Sequence, residues 1–192
     1  MRRLLAVALA AAALAGVASA GDLSGTVAAG KEGAAVTTVL YLAGAIPGPA
    51  PAQKPRLVNR NKKFVPSVLP VLAHHPFTVA SEDDIYHNTY ALTGADTFDV
   101  VLRHEGEAQD VTLDNPGRVD VFCRIHRAMH AVILVLENPY FAVADARGRF
   151  TIKGVPDGTY TLKVWNELLG ETTQTVTVGD VNKPLRLELK KS

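Results

Sequence analysis

The segment Cys123-Arg124-Ile125-His126-Arg127-Ala128-Met129 places a thiol, an imidazole and a thioether within seven residues, and the chain has no other cysteine. A thiolate, an imidazole and a thioether together select copper over zinc, calcium or magnesium. A further ligand is expected upstream, and Tyr86-His87-Asn88 offers it. Read this way, His87, Cys123, His126 and Met129 form a mononuclear copper site in which the methionine is the weak axial ligand. Such a site moves single electrons rather than catalysing bond chemistry, so the chain is expected not to be an enzyme.

Competing chemistries fit less well. Zinc asks for four firm N, S or O ligands, and methionine is a poor one. A c-type haem needs Cys-x-x-Cys-His, which is absent. A Cys-His nucleophile needs a third, orienting group, and the sequence places none. His74, His75, His104 and His130 read as surface or turn residues. The acidic turn Ser81-Glu82-Asp83-Asp84 reads either as a solvated turn or as negative charge that favours Cu(II).

Strands must position these residues. Val119, Val121 and Cys123 alternate, so a strand ending at Cys123 aims its sulfur inward. Residues 130–136, apolar from Ala131 on, read as a second strand, which makes the ligand loop a short strand-to-strand connection. Residues 57–66 carry Arg60, Lys62 and Lys63 and read as an edge segment guarded by charge. Pro66, Pro70 and Pro76 also favour edges and turns. Residues 138–190 are short strands between turns such as Asp145-Ala146-Arg147-Gly148, the pattern of a small sandwich. No long amphipathic helix is expected, and the fold class is all-β.

Residues 1–20 read as a cleaved export signal. Arg2 and Arg3 precede an Ala/Leu/Val run, and Ala18-Ser19-Ala20 supplies the small-residue cleavage pattern. The mature chain then starts at Gly21, carries no membrane span and belongs in the periplasm. Losing Arg2 and Arg3 from 20 basic against 19 acidic residues turns a formal charge of +1 into −1. That near-neutral balance argues against a nucleic-acid partner. A lone thiol in an oxidising compartment is a liability unless something, here a metal, occupies it. The chain divides into N-terminal strands over 21–45, a Pro-rich linker over 46–55, a copper segment over 56–137 and a β segment over 138–192.

Residues 57–137 resemble the cupredoxins, the blue copper proteins of plastocyanin/amicyanin type. The likeness rests on Asn61-Lys62-Lys63-Phe64-Val65-Pro66, Tyr86-His87-Asn88 and Cys123-x-x-His126-x-x-Met129. The whole mature chain resembles bacterial periplasmic proteins of the methylamine-utilisation/plastocyanin-like type. Its C-terminal part is similar to carboxypeptidase regulatory-like domains, through Asp145-x-x-Gly148-x-Phe150 and Gly154-Val155-Pro156-Asp157-Gly158. The resemblance implies a cupredoxin-like Greek-key β-sandwich plus a small transthyretin/Ig-like β-sandwich. It implies a type 1 (blue) copper protein that cycles one ion between Cu(I) and Cu(II) as a one-electron carrier. Copper delivery, storage or sensing, or a scaffold role, are the alternatives. His87, Cys123 and His126 would be equatorial ligands and Met129 the axial one, and Asn88 would tie the two ligand loops together. Arg127 stands where the family usually carries proline.

Two expectations complete the reading. The ring edge of His126 is expected at the surface, with Ile125, Ala128 and Ala131 as small apolar area beside it. Arg124 and Arg127 would steer an acidic redox partner, such as a c-type cytochrome or a periplasmic dehydrogenase, unless local acids such as Asp120 or Glu82 pair with them. Residues 23–44 resemble the opening of the regulatory-like domain, which would make the copper segment an insertion between its second and third strands. Val27 and Leu40 would then touch residues 150–190. The alternative joins 23–44 to the copper sheet.

Overall fold

Short apolar and β-branched runs between Gly, Pro and Asp turns favour strands, and strands they form. The computed structural model describes residues 19–34, 36–92, 96–179 and 183–190. The leader expected over 1–20 lies outside the described residues up to residue 18. Among the described residues no helix is long and apolar enough to cross a membrane.

The chain opens with β1 (Ala20–Ala28), one helical turn (Gly30–Gly33) and β2 (Thr38–Leu42). After the Pro-rich stretch come β3 (Arg56–Arg60), β4 (Lys63–Val65), β5 (Val68–Leu72), β6 (Pro76–Ser81) and β7 (His87–Ala91). Next are β8 (Phe98–Leu102), β9 (Ala108–Thr112), β10 (Gly117–Cys123) and β11 (His130–Leu136). Last are β12 (Phe141–Val143), β13 (Arg149–Pro156), β14 (Gly158–Asn166), β15 (Gly170–Val178) and β16 (Leu185–Glu188).

These strands make four sheets: β4-β3-β6-β9, β5-β11-β10-β7-β8, β12-β2-β14-β15 and β13-β1-β16. The first two enclose one core, in which Leu57, Phe77 and Val79 meet Val121, Ile133 and Val135. The last two enclose another, in which Leu40 and Leu162 meet Val27, Phe150 and Ile152. Both N-terminal strands therefore lie in the C-terminal sandwich: β1 pairs with β13 and β16, and β2 pairs with β12 and β14. Residues 56–136 leave that sandwich after β2 and return at β12.

The two sandwiches share a third core. Val68, Leu72, Val132, Leu134 and Leu136 pack against Val39 and Trp165. Strand β11 is thus apolar on both faces, because Ile133 and Val135 face one core while Val132 and Leu134 face another. Its unbroken apolar run is the mark of a strand covered twice.

One expectation changes. Residues 57–66 do not form a single edge segment, since β3 lies between β4 and β6 and only β4 is at the edge. The charges misled because Arg56 and Arg60 sit exposed at the ends of β3, whereas Leu57, Val58 and Asn59 between them are buried. The prolines follow the rule: Pro70 lies in the edge strand β5 and Pro76 is the first residue of β6.

Leu134→Ala, which empties part of the shared core, should cost about 2–5 kcal/mol. Thr173→Ala, on the exposed edge strand β15, should stay within about 0.5 kcal/mol. Urea denaturation followed by circular dichroism would compare the two variants; equal midpoints would mean that the sandwiches do not stabilise each other.

Candidate metal centre

Strand register brings the donors together. Along β10, Val119, Val121 and Cys123 are buried on one face. Strand β7 runs antiparallel to β10, with Phe122 opposite Tyr90 and Cys123 opposite Thr89. His87, two residues before Thr89, therefore lies on the same face as Cys123, just past its end. The chain then turns back: the Met129 amide donates to the His126 carbonyl at 2.9 Å, and β11 begins at His130.

The donor atoms converge. Cys123 Sγ lies 4.0 Å from His87 Nδ1 and 3.8 Å from His126 Nδ1. All three atoms lie within 4.8 Å of one another. Donors bonded at about 2.0–2.3 Å to a common centre, as for imidazole and thiolate on zinc, would stand roughly 3.5–4 Å apart, so the spacing fits a shared ion. The two imidazole rings have centroids 4.9 Å apart. His87 is 0 % exposed, Cys123 and Met129 are buried, and His126 is half-buried. Met129 lies in the same core as Cys123, Val121 and Ala131. One imidazole is thus sealed inside and the other reaches the surface. Soft sulfur donors with two imidazoles suit copper chemically.

The buried imidazole has a fixed outer partner. His87 Nε2 lies 2.9 Å from Asp83 Oδ2. The same carboxylate accepts the Asn61 amide at 2.6 Å and the Lys62 amide at 3.0 Å. Those two residues form the turn between β3 and β4 and have φ of 53° and 56°, the left-handed pair of a two-residue hairpin turn. Burial pushes the Asp83 carboxyl up, but the Lys62 and Asn61 amides and His87 outweigh it and hold the group below the usual aspartate range. The sequence marked Asp83 only as one charge in an acidic turn; its neighbours Glu82 and Asp84 face Arg60 and His104 instead.

Asn88 is placed differently from expectation. Its Nδ2 donates to Asp99 and to the Val100 carbonyl at 3.4 Å, both on β8. Its bonds go to β8, because Asn88 points away from the core that holds His87. The tie to the ligand loop runs through Asp99, which accepts from Arg124 at 2.8 Å. Asn88 Oδ1 and Asn59 Nδ2 are, among the described residues, the buried side-chain atoms without a partner.

The surface around His126 also differs in part. Arg124 is not free to steer a partner: it is paired with Asp99 and lies over the Tyr90 ring at 4.8 Å. Asp120, offered as a partner for the arginines, instead binds Arg118 and His130. Arg127 and Ala128 are exposed and Ile125 is 51 % exposed, while Ala131 is buried. Arg127 has no ion pair among the described residues. Lys62, which the sequence did not connect to the site, acts on His126: burial, the His87 charge and the Lys62 charge together lower its pKa. His74, His75 and His104 are exposed. His130 is not on open surface, since its Nε2 meets Asp120 at 2.8 Å and its Nδ1 faces Glu167 of the other sandwich at 3.8 Å.

Residues 136–183 match the family described as polysaccharide lyase family 4, domain II. A comparison with curated proteins found no match. Among solved structures, the chain is similar to a copper-containing nitrite reductase from Thermus scotoductus SA-01. That pair shares 23 % identity at a TM-score of 0.42, over 51 % of this chain and 25 % of the reductase. It is similar to a reduced point mutant of amicyanin, at 17 % identity and a TM-score of 0.40, over 45 % of this chain and 85 % of that one. It is similar to a purple cupredoxin from Nitrosopumilus maritimus, at 15 % identity and a TM-score of 0.37, over 43 % of this chain and 99 % of that one. The chain thus spans a quarter of the reductase. That likeness corrects the expectation that the chain is not an enzyme, because the similar protein is itself an enzyme.

The lowered His126 pKa has a consequence for stability. The unfolded chain takes up a proton near the ordinary imidazole value of about 6.5, before the folded chain does. The stability tied to this group is therefore present above that value and lost as pH falls through the folded one. Metal-free protein should become less stable on acidification from pH ~7 through the imidazole range, and His126→Asn should flatten that slope. Urea midpoints measured across the range check it; parallel curves for the two proteins would contradict it.

Proposed function

We propose that the chain is a type 1 copper protein that passes single electrons between redox partners in the periplasm. The observation that carries the reading is the convergence of His87 Nδ1, Cys123 Sγ and His126 Nδ1 within 4.8 Å, with Met129 buried in the same core. His87, Cys123 and His126 would be the equatorial ligands and Met129 the axial one. Copper bound there supplies a one-electron Cu(I)/Cu(II) couple. The protein's part is to hold the donors in place. Cys123 is fixed by β10, His87 by β7, and the loop is closed by the Met129-to-His126 backbone bond. A frame of this rigidity resists rearrangement between oxidation states.

His126 is the ring a partner reaches first, since it is half-buried while His87 is enclosed. Ile125 and Ala128 flank it with exposed apolar surface, and Arg127 and Lys62 supply positive charge. An acidic redox partner suits that rim, a c-type cytochrome or a periplasmic dehydrogenase being of the right chemistry. Residues 21–45 and 138–192 then act as a regulatory-like host sandwich from which the copper segment 56–137 projects. Asp99 holds Arg124 in place, so Arg124 shapes the ligand loop more than it docks.

Protein loaded with Cu(II) should be intensely coloured by sulfur-to-copper charge transfer. Cys123→Ser should abolish the colour, and Met129→Gln should keep copper while shifting the potential. A colourless wild type that retains no copper would remove the reading. Stopped-flow electron transfer offers a second check. Arg127→Glu should slow association with an acidic partner, and the wild-type rate should fall as salt shortens the Debye length from about 10 Å at 0.1 M. A rate indifferent to both salt and substitution would place the contact elsewhere.

A further inference from the structure

We propose that Asp83 is the positioning residue of this centre: its carboxylate sets the orientation and tautomer of His87 and fastens that ring to the turn at Asn61 and Lys62. The inference rests on the copper reading for its consequences, but its geometry is independent of any metal.

An ionised carboxylate only accepts hydrogen bonds. Facing Asp83 Oδ2 at 2.9 Å, His87 Nε2 must carry the hydrogen. In the neutral ring Nδ1 is then bare, and Nδ1 is the atom 4.0 Å from Cys123 Sγ. The ring is 0 % exposed, so bulk water does not compete for Nε2. A carboxylate behind a metal-binding imidazole fixes the ring and raises its basicity, and loss of such a partner costs about 10–100-fold in metal affinity.

The second half of the inference is mechanical. The same carboxylate accepts two backbone amides, from Asn61 and Lys62. Left-handed backbone is unfavourable for a lysine, and Lys62 adopts it at φ 56°, so the carboxylate holds a turn that would otherwise relax. Asp83 is itself held, since Ser81 Oγ donates to the Asp83 carbonyl at 3.0 Å. Ring and turn are therefore coupled through one side chain: His87 cannot swing without releasing Asn61 and Lys62. That turn also brings the Lys62 charge to His126, so Asp83 sets both the inner ligand and part of the outer rim.

The variants separate the roles. Asp83→Ala removes all three acceptor contacts. Asp83→Asn keeps one oxygen for His87, but it loses the negative charge and presents an amide donor where a second acceptor stood. Long-range 1H–15N spectra of metal-free protein at about pH 8.5, above the ordinary imidazole range, read the tautomer. Wild type and Asp83→Asn should show Nε2–H, and Asp83→Ala a mixture containing Nδ1–H. Hydrogen exchange should speed up at Asn61 in both variants, and at Lys62 in Asp83→Ala. On copper loading, Asp83→Ala should lose about 10–100-fold in affinity, and both variants should shift the potential upward because a nearby negative charge is gone. The proposal is overturned if Asp83→Ala keeps the wild-type tautomer and affinity and changes amide exchange alone, which would leave Asp83 a turn anchor only. Should the alanine variant not fold, unchanged amide exchange and an unchanged potential in Asp83→Asn overturn it equally. A wild type that binds no copper defeats the functional reading, while the tautomer measurement still decides this one.

Discussion

The centre depends on one register, the antiparallel pairing of β7 with β10 that sets Cys123 opposite Thr89. Side chains along a strand alternate, so a slip of one residue would turn Cys123 to the outer face and bring Phe122 inward. The sulfur would then leave His87 altogether. The pairing is held by more than its own ladder. Val119 and Val121 are buried in one core, and Arg124, just past the end of β10, and Asn88 on β7 both bind Asp99 on β8. A displaced register would bury polar groups and strand these bonds at once.

That strand pair sits in a sheet covered on both sides. The β4-β3-β6-β9 sheet covers the face that holds the donors, and the host sandwich covers the other through Val39 and Trp165. Between them the donors occupy the rim of the sheet, where strands end and a loop can turn. Burial of Cys123 and Met129 with partial exposure of His126 follows from that position. His130 links the rim to the host, since it bonds Asp120 on its own sheet and faces Glu167 across the gap.

The donor set was legible in the sequence because most of it is local. Cys123, His126 and Met129 share one short loop, and the alternation of Val119, Val121 and Cys123 states which way the sulfur points. His87 could be offered but not placed, because its position relative to Cys123 comes from pairing between distant strands. The outer contacts lay out of reach for the same reason. Asp83 stands only four residues before His87, but its hold on the Asn61 and Lys62 amides depends on a distant turn, and Arg124 finds Asp99 rather than the acids nearer in the chain. Trp165 was visible as part of a strand, but nothing local says that it fills the gap between two sandwiches. Charge was a poor guide to strand position, since Arg56 and Arg60 flank the buried middle of an interior strand.

The excursion over residues 56–136 begins and ends at neighbouring points of the host. Strand β2 pairs with β12, Phe141 lies opposite Tyr41, and the Leu42 amide donates to the Tyr140 carbonyl at 3.0 Å. To the host the whole segment is one long loop, and the entropy of closing a loop grows only logarithmically, by about 0.6 kcal/mol per doubling of length. The order in which the chain leaves the ribosome also matters. By the time β12 emerges, every strand of the inserted sandwich has been made, while β1 and β2 still lack their partners. The inserted sandwich can close first, and in closing it draws the two ends of the host together.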